Sequence, residues 1–339
     1  MKAVFLDKVA GPEALAYGDT PAPRPAAGQV LVKVFATAIM PTELEWETTW
    51  KQRTGQPRPF PVILGHEFSG TVEAFGPEVT DFKPGDEIYG MNDWFGNGAQ
   101  TEYCVAPASL LAPKPRSLDY VQAAVVPISV MTAWQGLFDH AHLRAGERVL
   151  IHGAAGAVGA VAVELAHSRG AYVIGTASSQ TLELVRQLGA DEVIDYQTTP
   201  FEAMAKDVDV VFDTVGGKTL ERSWGLLKPG GRLVTVATQG ETSQDQRVRD
   251  AFFIMEPNRT QLIGIARLID TGELRAPRVA AVFWLAQARE AYARSQQGHL
   301  GGKIALRVRE EPVQAEALKE AGHHASPSSV PATASPSRE

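Results

Sequence analysis

RVLIHGAAGAVGAVAVELAHSRGAYVIGTASS, residues 148–179, decides the fold. Residues 148–152 read as a strand, 157–169 repeat with helical periodicity, and 172–176 read as a second strand. The turn between the first strand and the helix is Ala154-x-Gly156-x-x-Gly159, a dinucleotide fingerprint with alanine in place of its first glycine. Gly156 lets the backbone approach a pyrophosphate, and Gly159 lets the helix sit close to the strand. The helix N-terminus then presents free N–H groups and a positive dipole end to the phosphates. Ala154, Ala155, Gly156, Ala157, Val158 and Gly159 are therefore the expected phosphate cradle.

The second strand ends in Thr176-Ala177-Ser178-Ser179. An NAD site usually carries a carboxylate about 20 residues after the glycines, where it holds the ribose 2′-hydroxyl. No acid occurs between Ala171 and Thr181, so a 2′-phosphate meets no repulsion from this segment. Thr176, Ser178 and Ser179 line this end of the expected site, and the two serines have hydroxyls to donate. This favours NADPH/NADP over NAD as cofactor. Arg186 is the nearest cation along the next helix.

Outward from this stretch the alternation continues. Further strands are predicted over 192–194, 208–212 and 232–236, with helices over 180–188 and 218–227. Alternating strand and helix predicts a parallel sheet with right-handed crossovers, a doubly wound α/β fold. Ligands bind at the carboxyl ends of such strands. That places Asp213-Thr214-Val215-Gly216 and Val236-Ala237-Thr238 near the nicotinamide half of a cofactor. The Ala-rich run 121–137 reads as helical.

The first third is β-rich instead. QVLVKVFA (29–36), EFSGTVEAF (67–75) and 86–89 read as strands, with Lys83-Pro84-Gly85-Asp86 as a turn. After Thr271-Gly272 come a strand over 279–283, a helix over 285–297 and a last strand over 303–308, expected to return to the first domain. Residues 311–339 are rich in Ala, Ser and Pro and poor in large apolar side chains, the composition of a disordered tail. The division expected is a catalytic domain from 1–126 and 272–310, a nucleotide-binding domain over 127–271, and the tail. No internal repeat is evident.

The formal net charge of −7 argues against a general nucleic-acid surface. A single cysteine, Cys104, excludes an intrachain disulfide and a multi-thiolate zinc site. It alternates like a strand residue and is expected to be a buried thiol. The segment Met1-Lys2-Ala3-Val4-Phe5 does not read as a secretory signal, and no run approaches the roughly 20 apolar residues that span a bilayer. A cytoplasmic protein with no membrane partner is expected.

Further motifs occur in order: GHEFSGTVEAFG (65–76), KPGDEIYG (83–90), MTAWQGL (131–137), HGAAGAVG (152–159), LGADEVIDY (188–196), VFDTVGG (211–217), LKPGGRLV (227–234) and GGKIALRV (301–308). Together they resemble the medium-chain dehydrogenase/reductase superfamily, and within it the zinc-free quinone oxidoreductase (zeta-crystallin-like) branch. The resemblance implies a GroES-like catalytic domain, a Rossmann domain and a cleft between them. It also implies a homodimer or homotetramer, for which an edge strand near 251–255 is a plausible contact. Zinc-dependent relatives hold catalytic zinc with Cys, His and Cys. By resemblance Met40 and Ile128 stand at the two cysteine positions, and His66 keeps the histidine. A thioether and an alkyl group do not replace two ligands, so no metal is expected and His66 reads as a packing or hydrogen-bonding residue. Thr132 resembles the threonine that contacts the nicotinamide, and Tyr196 the tyrosine placed near the 2′-phosphate. The branch commonly has Asn where Met40 stands and Lys close to Ser179, and this sequence departs from it at both.

Without a Lewis acid the acceptor must carry its own electron deficiency, as quinones and α,β-unsaturated carbonyls do. The expected reaction is hydride transfer from NADPH to such a small molecule. Thr42, Glu43 and Tyr89 are candidates for the proton, although Glu43 reads equally as an exposed charge. Two other readings stay open: a zinc-dependent alcohol dehydrogenase, and an NADPH-binding sensor or structural protein with little turnover.

Overall fold

The computed structural model describes residues 1–237, 243–298 and 300–311. The expectation of a disordered tail lies, from residue 312 onward, outside the described residues.

The first lobe is antiparallel. Its strands are β1 (Lys2–Leu6), β2 (Ala16–Asp19), β3 (Gln29–Ala38), β4 (Val62–Ile63), β5 (Glu67–Phe75), β6 (Glu87–Met91), β7 (Tyr103–Pro107) and β8 (Leu111–Pro113). Between β3 and β4 lies one short helix, α1 (Glu47–Trp50). β1 pairs with both β2 and β4. β3 is central and pairs with β5 and β7. Val30, Val32 and Val34 alternate inward on β3, as one buried face requires. From Phe35 onward the strand is buried on both faces, because α2 (Tyr120–Ala124) covers the other side. Cys104 is buried on β7, where desolvation raises the pKa of its thiol.

The Ala-rich run is two helices, not one. α2 opens on a capping box from Asp119 and Gln122, and α3 (Pro127–Trp134) restarts at proline. Proline has no N–H to give the preceding turn, so it begins a helix but does not continue one. α3 runs into a wider π turn, Gln135–His140.

The second lobe is parallel, with β9 (Arg148–His152), α4 (Ala157–Ser168), β10 (Tyr172–Ala177), α5 (Leu182–Gln187), β11 (Glu192–Asp195), α6 (Phe201–Met204) and β12 (Val208–Asp213). Then follow α7 (Gly217–Ser223), β13 (Leu227–Thr235), α8 (Gln246–Ala251) and α9 (Arg259–Asp270). The strand order β11-β10-β9-β12-β13 is that of a doubly wound sheet, with its switch point between β9 and β12. Every residue of β12 is buried, as expected of a central strand with both faces covered. The edge strand anticipated over 251–255 is not one. α8 runs through Ala251, and only Phe252 bridges to Thr235 at the end of β13.

The chain then forms β14 (Val279–Trp284), α10 (Ala288–Gln296) and β15 (Lys303–Arg307). β15 pairs antiparallel with β3 and parallel with β14, so these strands complete the seven-stranded sheet of the first lobe. Among the described residues no helix is long and apolar enough to cross a membrane.

Candidate functional site

β9 delivers the chain to a turn that has little room for side chains. Gly153 takes φ +71°, and Gly156 caps α4 in extended conformation. A Cβ on Gly159 would overlap the carbonyl oxygen of Gly153, and one on Gly153 would overlap Thr214 Oγ1. Gly159 is therefore held to glycine by the closeness of strand and helix, and Gly153 by the close approach of Thr214. Ala154 is fully buried, while Gly156 is exposed and Ala155, Ala157 and Val158 are half-buried around it. The first turn of α4 thus offers an open cradle of N–H groups, suited to a pyrophosphate.

At the end of β12, Asp213 is buried and serves its own loop. Its carboxylate accepts from the backbone of Val215 (3.2 Å) and Gly216 (3.0 Å) and from Thr235 Oγ1 (2.7 Å). Thr214 Oγ1 donates to the His152 carbonyl at 2.8 Å, and Val215 stands exposed above the sheet. On the neighbouring strand end, Ala237 N–H donates to Thr235 Oγ1 (3.1 Å) and Val236 N–H to the Asp213 carbonyl (3.1 Å). Thr214, Val215, Val236 and Ala237 therefore share one strand-end surface, whereas Thr238 lies outside the described residues. Thr132 is buried on α3.

The other end of the expected cofactor site differs from the sequence reading. Thr176 turns inward and meets His152 Nδ1 at 3.1 Å, while His152 Nε2 meets Ser223 Oγ at 2.9 Å. Burial lowers the pKa of His152 to about 4, so it is a neutral core histidine. Ser178 Oγ contacts Thr181 Oγ1 at 3.1 Å. Ser179 Oγ donates to Asp195 Oδ2 at 2.5 Å, and Tyr196 stands exposed beyond it. A window along the chain contained no acid, but β11 brings one across the sheet. Asp195 thus stands beside Ser179, although the segment 171–181 itself carries no acid.

The proton candidates separate sharply. Tyr89 is fully buried and its hydroxyl donates to the Leu262 carbonyl at 2.6 Å. Burial raises its pKa, and it joins β6 to α9 instead of facing a cleft. Thr42 is half-buried at the start of the turn Glu43–Glu45. Glu43 is no exposed charge: it is 0% exposed. Its carboxyl accepts from Gly65 N–H at 2.9 and 3.1 Å, and its Oε1 lies 3.2 Å from His66 Nε2.

By distance Glu43 and His66 resemble an ion pair, but their surroundings make both neutral. Burial raises the pKa of Glu43 to about 8, against the lowering effects of Gly65 N–H and Arg58. Burial, aided by Arg58, lowers that of His66 to about 3. A protonated Glu43 has a hydroxyl to give, and Nε2 is the acceptor in reach. That leaves the ring hydrogen on Nδ1, which is buried and has no hydrogen-bond partner among the described residues. The indole of Trp94 packs edge-on against this ring, with centroids 5.1 Å apart.

Arg58, which the sequence did not single out, is buried nearby and donates to the Thr49 carbonyl (3.2 Å) and Asn97 Oδ1 (2.8 Å). Glu67, after His66, accepts from Ile128 N–H at 2.9 Å and pairs with Lys303. The start of α3 and the last strand of the chain thus meet on one carboxylate. Met40 and Trp94 pack against the core cluster that contains Ile128 and Met131.

These residues do not fit a catalytic zinc. Met40 and Ile128 offer no thiolate or imidazole, and the Nε2 of His66 faces Glu43. They do fit a nicotinamide dinucleotide, whose pyrophosphate suits the cradle around Gly156.

The chain matches two family models, the alcohol dehydrogenase GroES-like domain over residues 26–116 and the zinc-binding dehydrogenase domain over 188–306. Neither Met40, His66 nor Ile128 lies within the second. A probable zinc-binding oxidoreductase, mitochondrial, from Arthroderma benhamiae is 34% identical over 311 residues, covering 85% of this chain and 91% of that protein. A mitochondrial NAD(P)H oxidoreductase from Danio rerio is 30% identical over 329 residues, with 84% of each covered. Among solved structures, a quinone oxidoreductase from Coxiella burnetii superposes with a TM-score of 0.83 at 30% identity, covering 91% of this chain and 99% of that one.

Proposed function

The chain belongs to the medium-chain dehydrogenase/reductase superfamily, in its quinone oxidoreductase-like branch, and from that premise we propose a zinc-independent reductase of quinones or α,β-unsaturated carbonyls. It is an oxidoreductase whose relatives use a nicotinamide cofactor. The observation that carries the finer reading is that Met40 and Ile128, which the family resemblance sets at two of three metal-ligand positions with His66, offer no thiolate or imidazole.

Bound along the strand ends, reduced nicotinamide dinucleotide supplies the hydride. The first turn of α4 would hold the pyrophosphate, and the loops of Thr214–Val215 and Val236–Ala237, with Thr132, would orient the nicotinamide half. NADPH, which the serines alone favoured, and NADH differ at the 2′ position, so the choice between them turns on Asp195.

A reduced acceptor must also gain a proton. Glu43 stores one, and His66 stands between it and the Nδ1 hydrogen. Transfer from the Glu43 carboxyl to Nε2 as the Nδ1 hydrogen leaves keeps the imidazole neutral throughout and returns Glu43 as a carboxylate supported by Gly65 N–H. Thr42, on the turn that carries Glu43, is the second hydroxyl in this segment. Neither zinc-dependent alcohol dehydrogenation nor a turnover-free sensor draws support from a particular contact.

The reading extends to a cytoplasmic homodimer or homotetramer. Its contact runs beside the end of β13, where Ile254 is 55% exposed next to buried Phe253. The test is oxidation of NADH and NADPH with panels of quinones and enones, before and after exhaustive chelation. Turnover that survives chelation is expected. Loss of turnover on chelation, restored by zinc alone, would overturn the reading.

A further inference from the structure

We propose that Asp195, carried by β11 to the end of β10, reads the 2′ position of the adenine ribose and selects NADH over NADPH. The inference rests on the nicotinamide-cofactor reading above and concerns only which of the two cofactors the site accepts. The sheet register makes the placement: Ala177 pairs with Asp195, so the residues just beyond each strand lie side by side. In a doubly wound fold the adenine ribose sits at this corner, past the second strand of the nucleotide-binding half.

The chemistry of the corner follows from where its hydrogens point. The single hydroxyl hydrogen of Ser179 goes to Asp195 Oδ2 at 2.5 Å, with Gln197 Oε1 a more distant neighbour at 3.0 Å. The backbone N–H of Ser179 donates to the same Gln197 oxygen at 3.2 Å. Thr181 Oγ1 donates to the Ser178 carbonyl at 3.3 Å, which makes its oxygen the acceptor for the Ser178 hydroxyl at 3.1 Å. Both serines therefore direct their hydrogens at protein acceptors and turn lone pairs outward. A ribose 2′-hydroxyl can donate to such a surface, and a phosphate, which needs donors, has nothing to accept from the serine hydroxyls. The cation nearest along the following helix, Arg186, is 3.5 Å from Glu183 and serves that pair. A dianionic 2′-phosphate at this corner would face the Asp195 carboxylate, with which no Lys or Arg pairs among the described residues.

Asp195 thus does from the third strand of the sheet what a carboxylate at the end of the second strand does elsewhere. Asp195→Asn tests this, because it removes the charge and keeps a side-chain oxygen for the Gln197 N–H, which Asp195 Oδ1 now accepts at 3.0 Å. Fluorescence titration with NADH and with NADPH, on the wild type, Asp195→Asn and Ser179→Ala, separates the contributions. The wild type is expected to bind NADH more tightly. Asp195→Asn should tighten NADPH binding relative to NADH by about tenfold, the order expected for removing one charge near a dianion at a solvated site. Ser179→Ala keeps the carboxylate and should not produce that gain. A wild-type preference for NADPH, or a ratio unchanged by Asp195→Asn, overturns the assignment. Failure of the wild type to bind either cofactor would instead overturn the nicotinamide reading beneath it.

Discussion

Replacing Glu43 with glutamine should change how stability depends on pH, and the structure gives the size of the effect. The native pKa of Glu43 is about 8 and its ordinary value is 4.5, a difference of 8 − 4.5 = 3.5. Between those values the folded chain keeps a proton that the unfolded chain has released. Stability must therefore fall as pH rises, by about 1.4 kcal/mol per pH unit. The contribution is complete below pH 4.5 and is lost as pH climbs through about 8. Glutamine has no proton to lose and retains an oxygen for Gly65 N–H and an amide for His66.

Urea unfolding of both proteins from pH 5 to 8 should show the difference in stability, wild type minus Glu43→Gln, falling by about 4 kcal/mol over the range. His66 titrates in the opposite sense, its depressed pKa adding stability between pH 3 and 6.5, but it is present in both proteins and cancels. The decisive interval is pH 5 to 6.5. A pair that holds one proton in the folded wild type predicts a slope there, whereas an unprotonated pair, with glutamate ionised and histidine neutral, predicts none. A flat difference over that interval would refute the neutral hydrogen bond.

Two other substitutions follow from the geometry. Gly159→Ala would drive a methyl group into the Gly153 carbonyl, which only backbone movement relieves; calorimetric titration should find cofactor affinity lower by at least about a hundredfold, because the cradle itself must shift. Tyr89→Phe removes the hydroxyl that donates to the Leu262 carbonyl at 2.6 Å, a carbonyl inside α9; denaturation should register a loss of about 1 kcal/mol, with kcat/KM unchanged if Tyr89 joins β6 to α9 and takes no part in proton transfer.

What the sequence disclosed and what it withheld divide along one physical line. The stretch 148–179 was legible because strand, tight turn and helix are dictated by neighbours along the chain. Gly159 must be glycine where helix and strand touch, and that requirement leaves a local mark. The break before α3 was equally local, since Pro127 announces it, although the Ala-rich run concealed the consequence. Asp195 was another matter. It stands 16 residues from Ser179 and reaches it only through the β10–β11 register. Glu43 read equally as a proton donor and as an exposed charge, because nothing near it in the chain reveals its burial against Gly65 and His66. Tyr89 meets a carbonyl 173 residues away, a contact no periodicity encodes. Residue types told what chemistry was available, and pairing across the sheets decided which groups could use it.

The two buried glutamates show how the fold makes such a decision. Glu43 and Glu67 are both almost wholly removed from water. Glu67 is matched by Lys303, delivered by the last strand, and by the N–H of Ile128 at the start of α3. A cation and a helix N-terminus offset the cost of burying a carboxylate. Glu43 has neither. Arg58 acts on it from nearby, but the hydrogen bonds of that guanidinium go to Thr49 and Asn97. The charge on Glu67 further disfavours a second one on Glu43. Lys303 returns to Glu67 and not to Glu43, so burial acts on Glu43 without an ion pair to offset it, and this is the carboxyl in contact with His66.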